Sequence, residues 1–174
     1  MTALYKQMVF DCENMFRQLA AERYAEMFLF LSGKRPKEKE VDFLVEMYLA
    51  GLLNEPSEVT KYTWETESLR KRDRAIESIN ASLSKTEKDR EINKSMRYWS
   101  QQNGYYLDII ADDMAVMAMK DCGVKYVRWN AENDNKVCGE CDSRAGKIYQ
   151  ITRIPPKHPN CRCWFTPVTD REKA

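Results

Sequence analysis

The sequence predicts an α+β fold that is mainly α, and three observations carry the prediction. Through the first two thirds of the 174 residues, apolar side chains recur at intervals of three and four. After Gly123 that period gives way to short β-like runs. Four of the six cysteines and the single histidine then fall between Cys138 and Cys163. Long amphipathic helices followed by a small, stapled β-rich module account for all three.

Taken in order, residues 3–32 place Leu4, Met8, Val9, Cys12, Met15, Phe16, Leu19, Met27, Phe28 and Leu31 on one helical stripe, which Gly33 and Pro36 stop. A second helix over 37–53 carries Val41, Leu44, Val45, Tyr48, Leu49 and Leu52, leaves through Asn54-Glu55-Pro56, and pairs antiparallel with the first. Over 57–83 the apolar positions thin to Val59, Tyr62, Leu69, Ile76, Ile79 and Leu83 among many charges, so a long, solvated helix is expected. Ser84-Lys85-Thr86-Glu87 has capping-box form and opens a fourth helix over 85–122 through Ile92, Met96, Trp99, Leu107, Ile110, Met114 and Met117, with Gly104 softening its middle. Its methionine and aromatic stripe reads as core packing rather than a cofactor box. Strands are expected at Val124–Trp129, Lys147–Ile151 and Cys161–Thr166, with 130–135 as a turn-rich loop. The organisation is a helical body over 1–123, a cysteine-rich module over 124–168 and a tail over 169–174, without internal repeats.

Cys138-Gly139-Glu140-Cys141 is a C-x-x-C knuckle, whose two sulfurs can reach one ion; a later pair of ligands closes a tetrahedron of the structural zinc type. His158, Cys161 and Cys163 compete for the two remaining places. Cys138, Cys141, Cys161 and Cys163 are favoured, because Cys161 and Cys163 would point to one side of a strand; His158 either replaces Cys163 or bonds a ligand sulfur from outside. Any four of the five satisfy the spacing. The N-terminus shows no secretory pattern, so a reducing compartment is expected, where metal prevails over disulfide. Glu140, Asp142 and His158 are the only acid or base groups close by, and a structural zinc fits that setting better than a catalytic one. Disulfides, a redox pair and unligated buried thiols are the alternatives.

Charged residues make up 32% of the chain and the formal net charge is +1, so no global basic field announces a nucleic-acid partner. No apolar run approaches the roughly 20 residues of a membrane span, and a soluble protein without a membrane partner is expected. The module nevertheless gathers Arg144, Lys147, Arg153, Lys157 and Arg162 against Glu140 and Asp142, a local cationic surface that four zinc-bound thiolates would partly offset. Lys61, Arg70, Lys71, Arg72 and Arg74, then Lys85, Lys88, Arg90, Lys94 and Arg97, make the middle of the chain basic too. Phosphate contact is one reading there; a solvated helix face laced with acids is the favoured one. Trp129, Trp164 and Phe165 read as the module's core. Tyr5, Phe10, Phe30 and Phe43 lie off the main stripes and mark residues 1–55 as a surface for a partner.

Trp129, Asp134, Val137 before the Cys138–Cys141 knuckle, Gly146-Lys147, and above all Pro155-Pro156-Lys157-His158-Pro159-Asn160-Cys161-Arg162-Cys163 with Pro167-Val168 resemble the phage head morphogenesis family. These are minor head proteins related to the phage Mu F protein and the phage SPP1 minor capsid protein. The likeness is sharpest over about 125–168 and extends back to about 85. It implies a non-enzymatic minor capsid protein of a tailed phage or prophage, working in the host cytoplasm during procapsid assembly and then in the virion head. Portal, scaffold and capsid proteins are its implied partners, with DNA touched on its way in or out. Two other classes remain open. A zinc-dependent nuclease or toxin-like enzyme would use His158 and Asn160, although such enzymes need further histidines. A stand-alone zinc adaptor is the third reading.

Overall fold

In a computed structural model, residues 2–50, 52–53, 61–82, 84–132, 134, 136–158 and 161–168 are described. Four helices come first: α1 (Thr2–Ser32), α2 (Glu38–Leu49), α3 (Lys61–Ala81) and α4 (Lys85–Asp121). They match the expected spans closely, except that α2 stops at Leu49 and leaves Leu52 largely exposed. Outside what is described lie the side chains of Leu4, Tyr5, Met8, Val9, Phe10, Cys12, Val59, Lys61, Tyr62, Leu69, Arg72, Leu83, Met96, Trp99, Pro159 and Asn160, the exit at 54–56, and the tail 169–174.

The ends of α4 are set by local chemistry. Ser84 Oγ accepts from the Glu87 backbone N–H at 3.2 Å while the Ser84 N–H donates to Glu87 Oε2 at 3.0 Å, the reciprocal box that the sequence announces. At the other end Gly123 takes φ +77°; its N–H donates to the Lys120 carbonyl and that of Val124 to the Met119 carbonyl, both at 2.9 Å. This Schellman closure satisfies carbonyls the helix leaves open, and a residue with a Cβ would adopt that φ only under strain.

Between those ends α4 serves as a wall for two apolar groups. Tyr106, Ile110, Met114, Met117 and Ala118 pack with Phe16, Ala20 and Tyr24 of α1 and with Val41, Val45, Tyr48 and Leu49 of α2. Two buried hydroxyls are tied into the same wall: Tyr48 donates to Asp113 Oδ2 at 2.7 Å and Tyr24 to Asp121 Oδ2 at 2.6 Å. Burial, and then the Asp121 carboxylate, push the Tyr24 phenol well above its ordinary range. Met15, expected on the α1 stripe, faces solvent, one position from the buried Phe16.

Beyond Gly123 come β1 (Tyr126–Asn130), α5 (Gly139–Arg144), β2 (Ile148–Gln150), a 3-10 turn (Ile151–Arg153) and β3 (Trp164–Pro167). The strands form an antiparallel sheet in the order β2-β1-β3, with Val127 opposite Tyr149 and Trp129 opposite Phe165. The chain is thus mainly helical with a small C-terminal sheet, as expected. Its second apolar group joins Val116 and Met119 of α4 to Val127, Trp129, Cys141, Ile151, Cys161, Cys163 and Phe165. The core therefore continues across Gly123, where only the secondary structure changes. Two expectations need correction. The third strand starts at Trp164, so Cys161 and Cys163 lie in the irregular stretch before it rather than on one side of a strand. Trp164 is 40% exposed, because alternation along β3 turns Phe165 inward and Trp164 out.

Met114 is fully buried where α1, α2 and α4 meet. Met114→Ala is expected to lower the unfolding free energy by about 2–5 kcal/mol in urea titration, whereas Phe43→Ser at an exposed position should stay within roughly 0.5 kcal/mol.

Candidate metal centre

The first arm of the centre is built on a single helical turn. Cys138 caps α5 in extended conformation (φ −75°, ψ 155°), and its Sγ accepts from the Cys141 backbone N–H at 3.4 Å. The Asp142 N–H donates to the Cys138 carbonyl at 2.9 Å, which closes the turn and brings the Cys138 and Cys141 side chains to one side. Gly146, at φ +77°, then reverses the chain, and its N–H donates to the Trp129 carbonyl at 2.8 Å. The knuckle is thereby pinned to β1. Asp134 trims the preceding loop: its Oδ1 accepts from the Lys136 N–H at 2.9 Å and from Arg162 Nη2 at 2.6 Å.

The second arm is the stretch from Ile154 to Cys163, in which the Cys161 N–H donates to the His158 carbonyl at 3.1 Å. That turn carries His158 and Cys161 over the knuckle. His158 Nε2 lies 3.1 Å from Cys138 Sγ and 3.0 Å from Cys141 Sγ, and Cys141 Sγ lies 3.5 Å from Cys161 Sγ. Donor atoms of Cys138, Cys141 and His158 are within 4.8 Å of one another, as are those of Cys141, Cys161 and Cys163. All five residues singled out by spacing are therefore brought together, with Cys141 common to both groups. His158 makes direct contact with both sulfurs of the knuckle.

Electrostatics divides the sulfurs. Cys138, exposed at the helix N-terminus, has its thiol pulled below the ordinary range, chiefly by the Cys141 backbone N–H. Cys141 is buried among other thiols, and desolvation first, then those neighbours, push it far up. Burial raises Cys163 as well. The Trp129 indole N–H is buried without a hydrogen-bond partner among the described residues, and the Cys141 and then the Trp129 side chains draw the Cys163 thiol part of the way back down. Buried soft donors that face mainly one another fit a cation at their centre, which would invert the cost of ionising them. At 3.5 Å the Cys141 and Cys161 sulfurs are well outside the roughly 2.05 Å of a disulfide.

The cations expected around the centre have unequal fates. Lys157 has a side chain only 10% exposed and is spent internally, donating to Asp112 on α4 and to the Cys163 carbonyl. Arg144 pairs with Glu140, donates to the Pro156 carbonyl at 3.1 Å and lies 5.0 Å over the Trp129 ring. Arg162 pairs with Asp134 at the surface, while Lys147 and Arg153 are exposed. Asp112 is the residue that sequence reasoning missed. It interrupts an apolar run of α4, but nothing in that pattern names Lys157, 45 positions later, as its partner. Burial raises the Asp112 carboxyl above its usual range although Lys157 works the other way.

Comparison of the chain with protein-family models, with curated proteins and with solved structures found no match. The fold and the site define a mainly helical protein with a small sheet and a Cys/His cluster that could hold a metal ion. Among the described residues no helix is long and apolar enough to cross a membrane.

The Lys157–Asp112 pair joins the arm that carries His158 and Cys161 to α4. Lys157→Met is expected to cost roughly 3 kcal/mol in chemical denaturation, since it strands a largely buried carboxylate; adding Asp112→Leu should recover most of the loss. Equal losses in the single and double variants would show that the ion pair itself does not couple the two parts.

Proposed function

We propose that the module is held together by one structural zinc ion on Cys138, Cys141, His158 and Cys161, and that the protein binds and positions other proteins rather than turning over a substrate. The observation that carries the reading is His158 Nε2 seated 3.0–3.1 Å from two thiols, with a third thiol 3.5 Å from one of them. A four-coordinate zinc places neighbouring sulfur and nitrogen donors roughly 3.5–3.8 Å apart, a spacing that the Cys141 and Cys161 sulfurs approach at 3.5 Å and that the His158 contacts reach with a shift of about 0.5 Å. Cys163 stands beside this set, its sulfur within 4.8 Å of those of Cys141 and Cys161. Bound zinc supplies cross-linking of two chain segments and needs no acid or base, and the His158 Nε2 is directed into the thiols.

Within that class, the reading best supported is a minor head protein of a tailed phage or prophage, acting in procapsid assembly through portal or scaffold binding. The support is the resemblance of residues 125–168 together with the convergence of Cys138, Cys141, His158, Cys161 and Cys163 into one cluster. Phe30 and Phe43, 75% and 67% exposed, offer apolar contact area on α1 and α2 for such a partner. Removing residues 1–55 while incorporation into heads stayed normal would sink the assignment of that surface.

Purified under reducing conditions, the protein is expected to carry about one zinc per chain by elemental analysis. Cys161→Ser should lose the metal together with the native signal of residues 124–168, while Cys163→Ser should keep the stoichiometry with weaker retention against a chelator, on the order of 10–100-fold. Metal retained in Cys161→Ser and lost in Cys163→Ser would assign the fourth place to Cys163 instead.

A further inference from the structure

We infer that the cleft where α1, α4 and the C-terminal module meet is a docking site for an arginine side chain carried on an extended segment of a partner protein. The inference deepens the binding role proposed above, and rests on it, by giving the place and the chemistry of one contact. Arg23, Glu26, Met27 and Phe30 of α1 face the cleft at spacings of three and four, as do Asp108, Ala111, Asp112 and Ala115 of α4. Cys161 to Phe165, with Glu132 and Lys157, close the third side, and the enclosed space is about 690 Å³. That lies within the roughly 300–1,000 Å³ of ligand sites. Ala111 and Ala115, one helical turn apart, leave room that larger side chains would fill.

Charge complementarity selects the occupant. Three cations line the cleft, and each already has an acid: Arg23 lies 3.1 Å from Glu26, Arg162 lies 2.6 Å from Asp134, and Lys157 is paired with Asp112. Asp108 and Glu132, both exposed, are left without an ion pair among the described residues. Glu132 acts on the Arg162 charge only through space, and Asp108 adds its field to that of Asp112. With two carboxylates uncommitted, the cleft favours a cation over a phosphate or a carboxylate. The aromatic lining decides which cation. Trp164 and Phe30, 40% and 75% exposed, present rings open to solvent on this space. A guanidinium stacks on aromatic faces, takes a carboxylate by two hydrogen bonds at once, and is less strongly hydrated than an ammonium. Its carbon stem can lie along Met27, Ala111 and Ala115. The α1 and α4 faces each run about 10 Å at roughly 1.5 Å per residue, the length of about three residues of extended chain. A short extended segment with arginine at its centre matches that length.

The test is fluorescence anisotropy with the full chain and a labelled peptide, acetyl-Ala-Leu-Arg-Leu-Ala-amide, set against its citrulline counterpart, which keeps the shape and loses the charge. The arginine peptide should bind, and the citrulline peptide at least about tenfold more weakly. Asp108→Asn with Glu132→Gln should weaken the arginine peptide roughly tenfold, and Trp164→Ala alone about two- to fivefold. All three residues are exposed, so the circular dichroism of these variants should match the parent. A charge-matched control, Glu38→Gln with Asp42→Asn, removes two exposed acids of α2 that do not line the cleft and should bind like the parent. Equal binding of the two peptides, parent-like binding by the Asp108→Asn, Glu132→Gln variant, an equal loss in the control, or no binding by the parent up to about 1 mM peptide would each overturn the proposal. So would a concentration-dependent dimer in sedimentation that Trp164→Ala abolishes, which would give the cleft to a second copy of the chain. Head incorporation is a separate readout, so the cleft can fail while the assembly reading stands, and the reverse.

Discussion

Everything in this molecule leans on one helix. α4 must show apolar side chains to α1 and α2 on one side and to the small sheet on another, and its last turns do both at once: Met117 and Ala118 join the helical group, Val116 and Met119 the sheet group. Side chains on a helix diverge by about 100° per residue, so four consecutive buried positions are affordable only where packing surrounds the helix. The 37-residue length follows from the same demand, since one end carries the sheet and the other runs beside α3.

The sheet could not stand without that wall. Its strands are three to five residues long, and Trp129, Val127 and Phe165 are too few to bury a closed core between them. Two devices make up the deficit. Apolar burial against Val116 and Met119 supplies area, and the Cys/His cluster supplies a tie between the knuckle at the start of α5 and the arm from Ile154 to Cys163. Lys157 acts as a third tie, carrying a hydrogen bond to the Cys163 carbonyl and an ion pair to Asp112 across the seam.

This arrangement separates what holds the protein from what is free to touch others. Arg144 and Lys157 are absorbed into packing, while exposed cations remain along α4 and, as Lys147 and Arg153, on the module. Phe30 and Trp164 face a cleft between α1, α4 and the sheet, while Phe43 stands alone on α2. Exposed apolar side chains are thus found on both parts, Phe30 and Phe43 on the helices and Ile148 and Trp164 on the sheet.

Much of this was legible in the chain itself. Helix spans follow from the three-and-four spacing and from Gly33, Ser84 and Gly123, because caps and breakers act through local backbone geometry. The five metal-ligand candidates were legible too, since soft donors clustered along the sequence need only two turns to converge. Three matters were decided by tertiary contact. Whether Trp164 or Phe165 faces inward depends on where β3 begins, and that register is set by pairing with β1, a partner some 36 residues earlier. The direct contact of His158 with the knuckle depends on how the Pro155–Cys161 arm lies over α5, which spacing leaves free. The fate of each cation was equally unreadable: Lys157 and Lys147 look alike in sequence, and only the position of Asp112 on a distant helix buries one and leaves the other to solvent.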